Sequence, residues 1–411
     1  MPFAILPASD FKAESYRVMF HDAQRMLEQF LHPLPLDQFL DGTLNGGFQR
    51  VANSGAFPRV DLLGSNPEAS LLEAFHLASK ITFHSANPLA SPPSLEGVAH
   101  GADFRRRIEE LHAKNYSVRF PELRPLSPAV DRVARALEII LHQPVTVSAF
   151  WSRGGMRAPV HFDDHDLIVV HLRGAKRWYV SKRPSELNNP WKGIPNATLE
   201  LGPYATLDIN PGDLLYLPRG TLHSVDGDTE SLHVSIGFTP LTVRDAIIAA
   251  LDQLSDFDRP LRTTLGNRLA SQLRGVNFDA LRPPILTGAT RLLEACKAQG
   301  FLESALQLRS SRVIASLGAL PIPAPAPLNL DTLMVQKDIA YCHLSANADK
   351  IDFSYPGGHI YIHRGAQESL VYMVNTPSFR VRDIPGQIDD EVRLSLAGKL
   401  RDIGFLDVQT G

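Results

Sequence analysis

Between Pro144 and Phe238 the chain is a succession of short apolar runs: "PVTVSAFW", "HDLIVVHL", "RWYVS", "ATLDI", "DLLYLP" and "LHVSIGF". Gly- and Pro-containing turns separate them. Runs this short and this regularly spaced read as strands of a β-sandwich or barrel of jelly-roll type. The turn "NPGD" (210–213) is a strong punctuation mark, because Pro and Gly preset the dihedrals of a tight turn. The flanks read differently. "AESYRVMFHDAQRMLEQFL" (13–31) has apolar residues at helical spacing, and 127–143 reads as a helix with Ser127 as N-cap and Pro128 in its first turn. Residues 85–101 form a loop rich in Pro, Ser and Gly. After Thr239-Pro240 the pattern is helical again, with Thr242 capping an apolar stripe over 242–254. Residues 317–330 read as an extended proline-rich linker. The last 80 residues hold a hairpin, "KIDFSYPGGHIYIHRG", then a helix, "DDEVRLSLAGKLRDIG", and a strand, "FLDV".

The charge balance removes several alternatives. The formal net charge of 411 residues is −3, and the part after residue 240 carries 18 basic and 18 acidic residues, so no basic stripe for a phosphate backbone is visible. Two cysteines, Cys296 and Cys342, lie far apart without a CxxC. That argues against a thiolate zinc site and a disulfide framework, and it suits a reducing cytoplasm. No stretch approaches the roughly 20 apolar residues of a membrane helix, and the N-terminus does not read as a signal peptide. No GxGxxG, P-loop or GxSxG occurs.

Chemistry concentrates in "PVHFDDHDLIVVHLRGAKRW" (159–178), where acids and histidines stand directly before an apolar strand. Polar groups so placed are costly unless something satisfies them. Alternation along a strand puts His161 and Asp163 on one face. If the strands close into a barrel, His223 at the end of "GDLLYLPRGTLH" can join them, making a 2-His-1-carboxylate triad of the non-haem Fe(II) kind. A lone HxD is otherwise an ordinary pair of strand residues. Iron so held takes a chelating co-substrate such as 2-oxoglutarate, whose far carboxylate needs a cation. Lys176, on the return limb of the "LRGAKRW" hairpin, is the candidate, with Arg173 and Arg177 expected to face solvent. His165 continues the alternation toward the pocket mouth. Asp164 and Asp166 could accept from the ligand imidazoles, or the three could be a solvated strand end. His359 and His363, in "HIYIH", share a strand face without an obvious acid and read as a surface pair.

"HFDDHDLIVVHLRGAKRW", "PGDLLYLPRGTLHSV" and "HVSIGF" together resemble the JmjC (jumonji C) oxygenases, and within them the ribosomal-oxygenase branch. The resemblance implies an α+β chain. A double-stranded β-helix (jelly-roll/cupin) core at about 144–240 would lie within a catalytic domain spanning 1–240. A helical dimerisation segment (241–316), the linker and a winged-helix-like domain (331–411) would follow. It implies that His161, Asp163 and His223 ligate Fe(II), that Lys176 binds 2-oxoglutarate, and that Ser235, His233 and Ser152 line the co-substrate pocket. It further implies a homodimeric cytoplasmic hydroxylase of a protein side chain, of a ribosomal protein in that branch. A demethylase, a small-molecule or peptide oxygenase, and a non-catalytic cupin-like scaffold are the competing readings. The chain departs from the family at Ser148-Ala149-Phe150, where Asn-x-Tyr is common, and at His233, where a smaller amide is familiar.

Overall fold

The computed structural model describes residues 14–45, 47–85, 94–185, 199–227, 229–263, 282–323, 326–337, 341–346 and 349–409. Residues 86–93 of the Pro/Ser loop and 324–325 of the linker thus lie outside the described residues. The chain divides into two compact units, one from Phe20 to Pro240 and one containing the chain from Leu241 onward.

The strands of the first unit are β1 (Gln49–Val51), β2 (Thr82–Ser85), β3 (Tyr116–Phe120), β4 (Val145–Arg153), β5 (Met156–His161), β6 (Asp166–Arg173), β7 (Lys176–Ser181), β8 (Tyr204–Ile209), β9 (Leu214–Leu217), β10 (His223–Gly227) and β11 (Glu230–Phe238). They form a seven-stranded sheet, β1-β9-β6-β11-β4-β3-β2, and a four-stranded sheet, β5-β10-β7-β8. Every pairing is antiparallel. Val169, Leu215 and Leu217 of the large sheet pack with Trp178, Val180, Ile209 and Val225 of the small one, closing the jelly roll over a shared core. The helices Gly101–Ala113 and Pro128–Leu141 contact β3 and β4 of the large sheet. With both faces covered, β4, β6 and β11 are buried along most of their length, and the polar Ser148, Ser152, His171, His233 and Ser235 are buried with the apolar residues.

The helix read at 127–143 spans Pro128–Leu141, and the Val130 N–H donates to Ser127 Oγ as expected of an N-cap. The one at 13–31 spans Glu14–Leu31. Five strands fall outside the apolar runs: β1, β2, β3, β5 and β10. "YSVRF" does alternate, with Tyr116, Val118 and Phe120 buried, but over only five residues, and "TFHS", "MRAPVH" and "HSVDG" are too short or too polar for periodicity to separate them from loop. The placement of HxD changes accordingly. His161 is the last residue of β5 and Asp163 lies in the turn before β6, so strand alternation is not what brings them together.

In the second unit the helices Val243–Phe257, Arg282–Lys297 and Phe301–Ser316 pack through Ala249, Ala250 and Ala305, whose small side chains allow close approach. Thr242 caps the first with a full capping box. Beyond them lie two three-stranded antiparallel sheets, one of Ser378–Arg380, Leu333–Gln336 and Leu406–Val408, the other of His343–Ala346, Lys350–Tyr355 and Gly358–His363. The helices Gln367–Asn375 and Asp390–Asp402 complete it. The hairpin, the last helix and the last strand stand where the pattern put them. The proline-rich stretch carries no regular structure among its described residues, but it is anchored. Leu317 and Leu320 are buried, and Lys337 and Arg401 donate to the carbonyls of Pro321 and Ala326. His359 also corrects its reading: an acid does stand beside it, since its Nδ1 lies 3.1 Å from Asp352 Oδ1 across the hairpin. No helix among the described residues is long and apolar enough to cross a membrane.

Candidate active site

His161 and His223 are direct cross-strand partners in the β5–β10 ladder, with ring centroids 4.3 Å apart. Asp163 reaches them from its turn, which is pinned where the Gly220 N–H donates to the Asp163 carbonyl (2.8 Å). Asp163 Oδ2 is 3.5 Å from His223 Nε2, and one ligand atom from each of the three lies within 4.8 Å of the others. The tautomers suit a cation. His161 Nδ1 donates to the Pro159 carbonyl at 2.8 Å and His223 Nδ1 to the Thr221 carbonyl at 2.9 Å. Each ring therefore commits Nδ1 to the backbone and leaves Nε2 as the nitrogen for the cluster. Burial, and then the neighbouring His161, hold His223 down to about 4, so its lone pair is free at neutral pH. Two imidazole nitrogens and one carboxylate oxygen converging from one side are the donor set of a divalent transition metal with open coordination sites.

The carboxylates beside the motif do not orient these imidazoles; backbone carbonyls do. Asp166 is buried and accepts instead from Tyr216 Oη (2.5 Å) and the Arg219 N–H (3.0 Å). Asp164 pairs with His165 Nδ1 at 2.5 Å, and both are exposed. This half of the polar crowd braces the mouth of the barrel.

The other end of the pocket is set by the β6–β7 turn. Gly174 there has φ +59° and faces the Glu230 carbonyl so closely that a Cβ would stand 2.0 Å from it, so only glycine makes this turn. Lys176 follows at once, 3% exposed. Its Nζ donates to Ser152 Oγ at 3.2 Å and lies 3.5 Å from His233 Nδ1, and Ser152 Oγ in turn meets Ser117 Oγ at 2.8 Å. Burial pushes the ammonium down to about 8. Ser231, the cross-strand partner of Ser152, has a buried hydroxyl without a hydrogen-bond partner. Among the described residues no carboxylate pairs with this ammonium, and with the Ser231 hydroxyl it suits the carboxylate of a bound ligand. Arg177 faces outward onto Asp208, as read. Arg173 does not: it is half-buried and donates to the carbonyls of Val60, Ser65 and Leu172.

A row of side chains crosses four strands between the two ends, with Arg119 opposite Phe150, Phe150 opposite His233 and His233 opposite His171. The last three rings stack at 5.1 and 5.2 Å. Burial, then Lys176, push His171 down to about 3, and burial first holds His233 well below its ordinary value, so both are neutral walls. Ser235 lies one pair further along, opposite Ser148. Trp178 joins the ends: its Nε1 donates to His171 Nε2 at 3.4 Å and its ring stacks on His223 at 5.6 Å. Sequence reading missed Arg119, His171, Ser117 and Ser231. They lie on strands without a distinct pattern, or inside an apolar run, and only the inter-strand register turns them toward the pocket.

These features define a jelly-roll protein with a 2-His-1-carboxylate cluster and a buried lysine in one barrel. Residues 125–246 match the family model described as JmjC domain, and the chain carries that domain. Over 82 residues it is 40% identical to the bifunctional lysine-specific demethylase and histidyl-hydroxylase NO66 of Dictyostelium discoideum, covering 18% of this chain and 16% of that protein. Over 177 residues it is 24% identical to ribosomal oxygenase 2 of Rattus norvegicus, covering 41% and 38%. The matches thus span well under half of either relative's own length. The solved structure of YcfD, a ribosomal oxygenase from Escherichia coli, superimposes with a TM-score of 0.52 at 16% identity, over 92% of this chain and 99% of that one. That likeness shows a shared fold.

Proposed function

We propose that this protein is an Fe(II)- and 2-oxoglutarate-dependent oxygenase that hydroxylates a protein side chain. The observation that carries the proposal is the convergence of His161, Asp163 and His223 in the barrel that also buries an uncompensated Lys176. The names of the relatives point to the same chemistry, and two of them to the ribosome as the source of substrate.

Iron held with 2-oxoglutarate would supply an oxidant able to attack an unactivated C–H bond. The residues of this chain do the rest. His161 and His223 present Nε2 because backbone carbonyls hold their Nδ1 protons. Asp163 contributes the one negative charge of the donor set. Lys176 and Ser152 receive the far carboxylate of the co-substrate, with Ser231 as a further donor, and Ser235 and His233 border it. The ring row and Trp178 keep that end dry, which strengthens the ion pair and fixes the co-substrate in one orientation.

Purified protein with Fe(II) and 2-oxoglutarate is expected to release succinate, and to add one oxygen to a peptide of a ribosomal or whole-cell extract. Stable oxygen addition without formaldehyde separates hydroxylation from demethylation. Neither metal retention nor succinate release would leave the scaffold reading in its place.

The unit after Leu241 fits a homodimer. Val243, Ile247 and Leu251 form one stripe of the first helix and Ile285, Leu286 and Leu293 line the second, with Val243 79% and Ile285 60% exposed. Such a surface is costly in water and suits a second copy. Ile285→Glu should convert a dimer to a monomer in sedimentation. The terminal unit from 331 is a winged-helix-like module in this reading, and the site of action is the cytoplasm.

A further inference from the structure

We propose that Arg119 selects the substrate, by binding a carboxylate of an acidic residue next to the side chain that is oxidised. This rests on the oxygenase reading and names the chemistry of its substrate.

Arg119 is a cation of the pocket for which neither the metal triad nor the co-substrate lysine has a use. Its place is settled by register: it opens the row Arg119, Phe150, His233, His171 and faces the same side as those rings. Two contacts prop it there. Nη2 donates to Ser148 Oγ at 2.9 Å, and Cζ stands 6.0 Å over the Phe150 ring. Ser148 and Phe150 both stand where the chain departs from the family pattern, and both hold this arginine. His84, its diagonal neighbour on β2, lies within electrostatic reach of both Arg119 and His161, so the guanidinium stands on the metal side of the pocket.

What distinguishes Arg119 is its missing counter-charge. Other enclosed arginines of this unit have an acid or several carbonyls as partners: Arg124 has Asp131 and Glu138, Arg135 has Asp131, Arg107 has Glu110, Arg59 has the carbonyls of Phe30, His32 and Gly212, and Arg173 has three carbonyls. Arg119 has one neutral hydroxyl, and among the described residues no carboxylate pairs with it. A planar guanidinium with free N–H groups is built to take a carboxylate in two parallel hydrogen bonds. Two sources could supply it, the substrate or the nearer end of 2-oxoglutarate. Exposure favours the substrate. Lys176 is sealed at the closed end, whereas Arg119 is only half-buried and remains reachable by a large molecule entering from the mouth.

Two measurements test this. In the first, Mn(II)-loaded wild type, Arg119→Gln and Arg119→Lys are titrated with 2-oxoglutarate by calorimetry without oxygen. In the second, the same complexes select from two synthetic peptide pools, alike except that one fixes Asp or Glu beside a randomised centre and the other Asn or Gln, with retained peptides counted by mass spectrometry. The expected result is roughly tenfold or greater enrichment of the acidic pool by wild type. Arg119→Gln should lose that enrichment and Arg119→Lys keep part of it, with 2-oxoglutarate affinity within about twofold of wild type in both, since Lys176 is untouched. Equal retention of both pools by wild type overturns the proposal, and so does a fall in 2-oxoglutarate affinity in Arg119→Gln that Lys partly restores, which would assign the arginine to the co-substrate. Both outcomes leave the oxygenase reading standing. Wild type that binds neither Mn(II) nor 2-oxoglutarate removes that reading and this one together.

Discussion

At one end of the barrel pocket, His161, Asp163 and His223 gather three donor atoms of the kind that bind a cation; at the other, Lys176 buries an ammonium with which no carboxylate of the described residues pairs. The first end is partly open, with the Asp163 side chain 38% exposed, whereas Lys176 is 3% exposed. The supports differ too. Backbone carbonyls fix the donor histidines, while hydroxyls and neutral rings surround the lysine. The contrast teaches that each end is incomplete in the opposite sense. A dicarboxylate that chelates a metal with one end and meets an ammonium with the other completes both. The open end is where a third molecule can enter.

Breaking the metal end should have the largest effect. Asp163→Ala removes the only carboxylate of the cluster and is expected to abolish both Mn(II) retention and succinate release, beyond the roughly hundredfold that loss of a mere supporting contact costs. Retained metal and turnover would remove Asp163 from the site. Lys176→Met breaks the closed end while keeping its packing, and should raise the 2-oxoglutarate KM by roughly a hundredfold with metal binding intact. An unchanged KM would point to another cation.

The two ends should also separate by pH. Below about pH 8 Lys176 is charged, and 2-oxoglutarate is expected to bind well. Above it the free pocket loses its cation, and affinity should weaken by up to about tenfold per pH unit. Stability runs the opposite way. The folded-state value of about 8 lies below the 10.5 of a free lysine, so the buried ammonium opposes folding. That penalty, of order 3 kcal/mol, is full below pH 8 and fades as pH rises toward 10.5. Lys176→Met should therefore raise the urea midpoint at pH 7 and change it little at pH 10. The smallest expected effect is at the hydroxyl that Lys176 holds: Ser152→Ala should raise the 2-oxoglutarate KM about fivefold, the worth of one hydrogen bond.

Much of this was legible before any coordinates. The apolar runs from Pro144 to Phe238 announced the sheets, because their Val, Ile, Leu, Phe and Trp side chains are the ones buried in the core. His161, Asp163, His223 and Lys176 stood out by type and company. Strand alternation, however, is not what joins the HxD pair: a turn brings Asp163 to His161. Asp166 and Arg173 looked like groups of the pocket or of the surface, and became internal braces. Arg119, Ser231 and His171 drew no notice.

The sequence by itself determined the segment of the chain that builds the barrel, and the residue types able to hold a cation and a carboxylate. Only the tertiary structure decided that His161 faces His223, that Ser231 stands beside Ser152, and that Arg119 opens into the same pocket. Periodicity reports which side chains share a face within one strand. Which strands lie side by side, and in what register, follows from closing two sheets over a common core, and no local pattern encodes that.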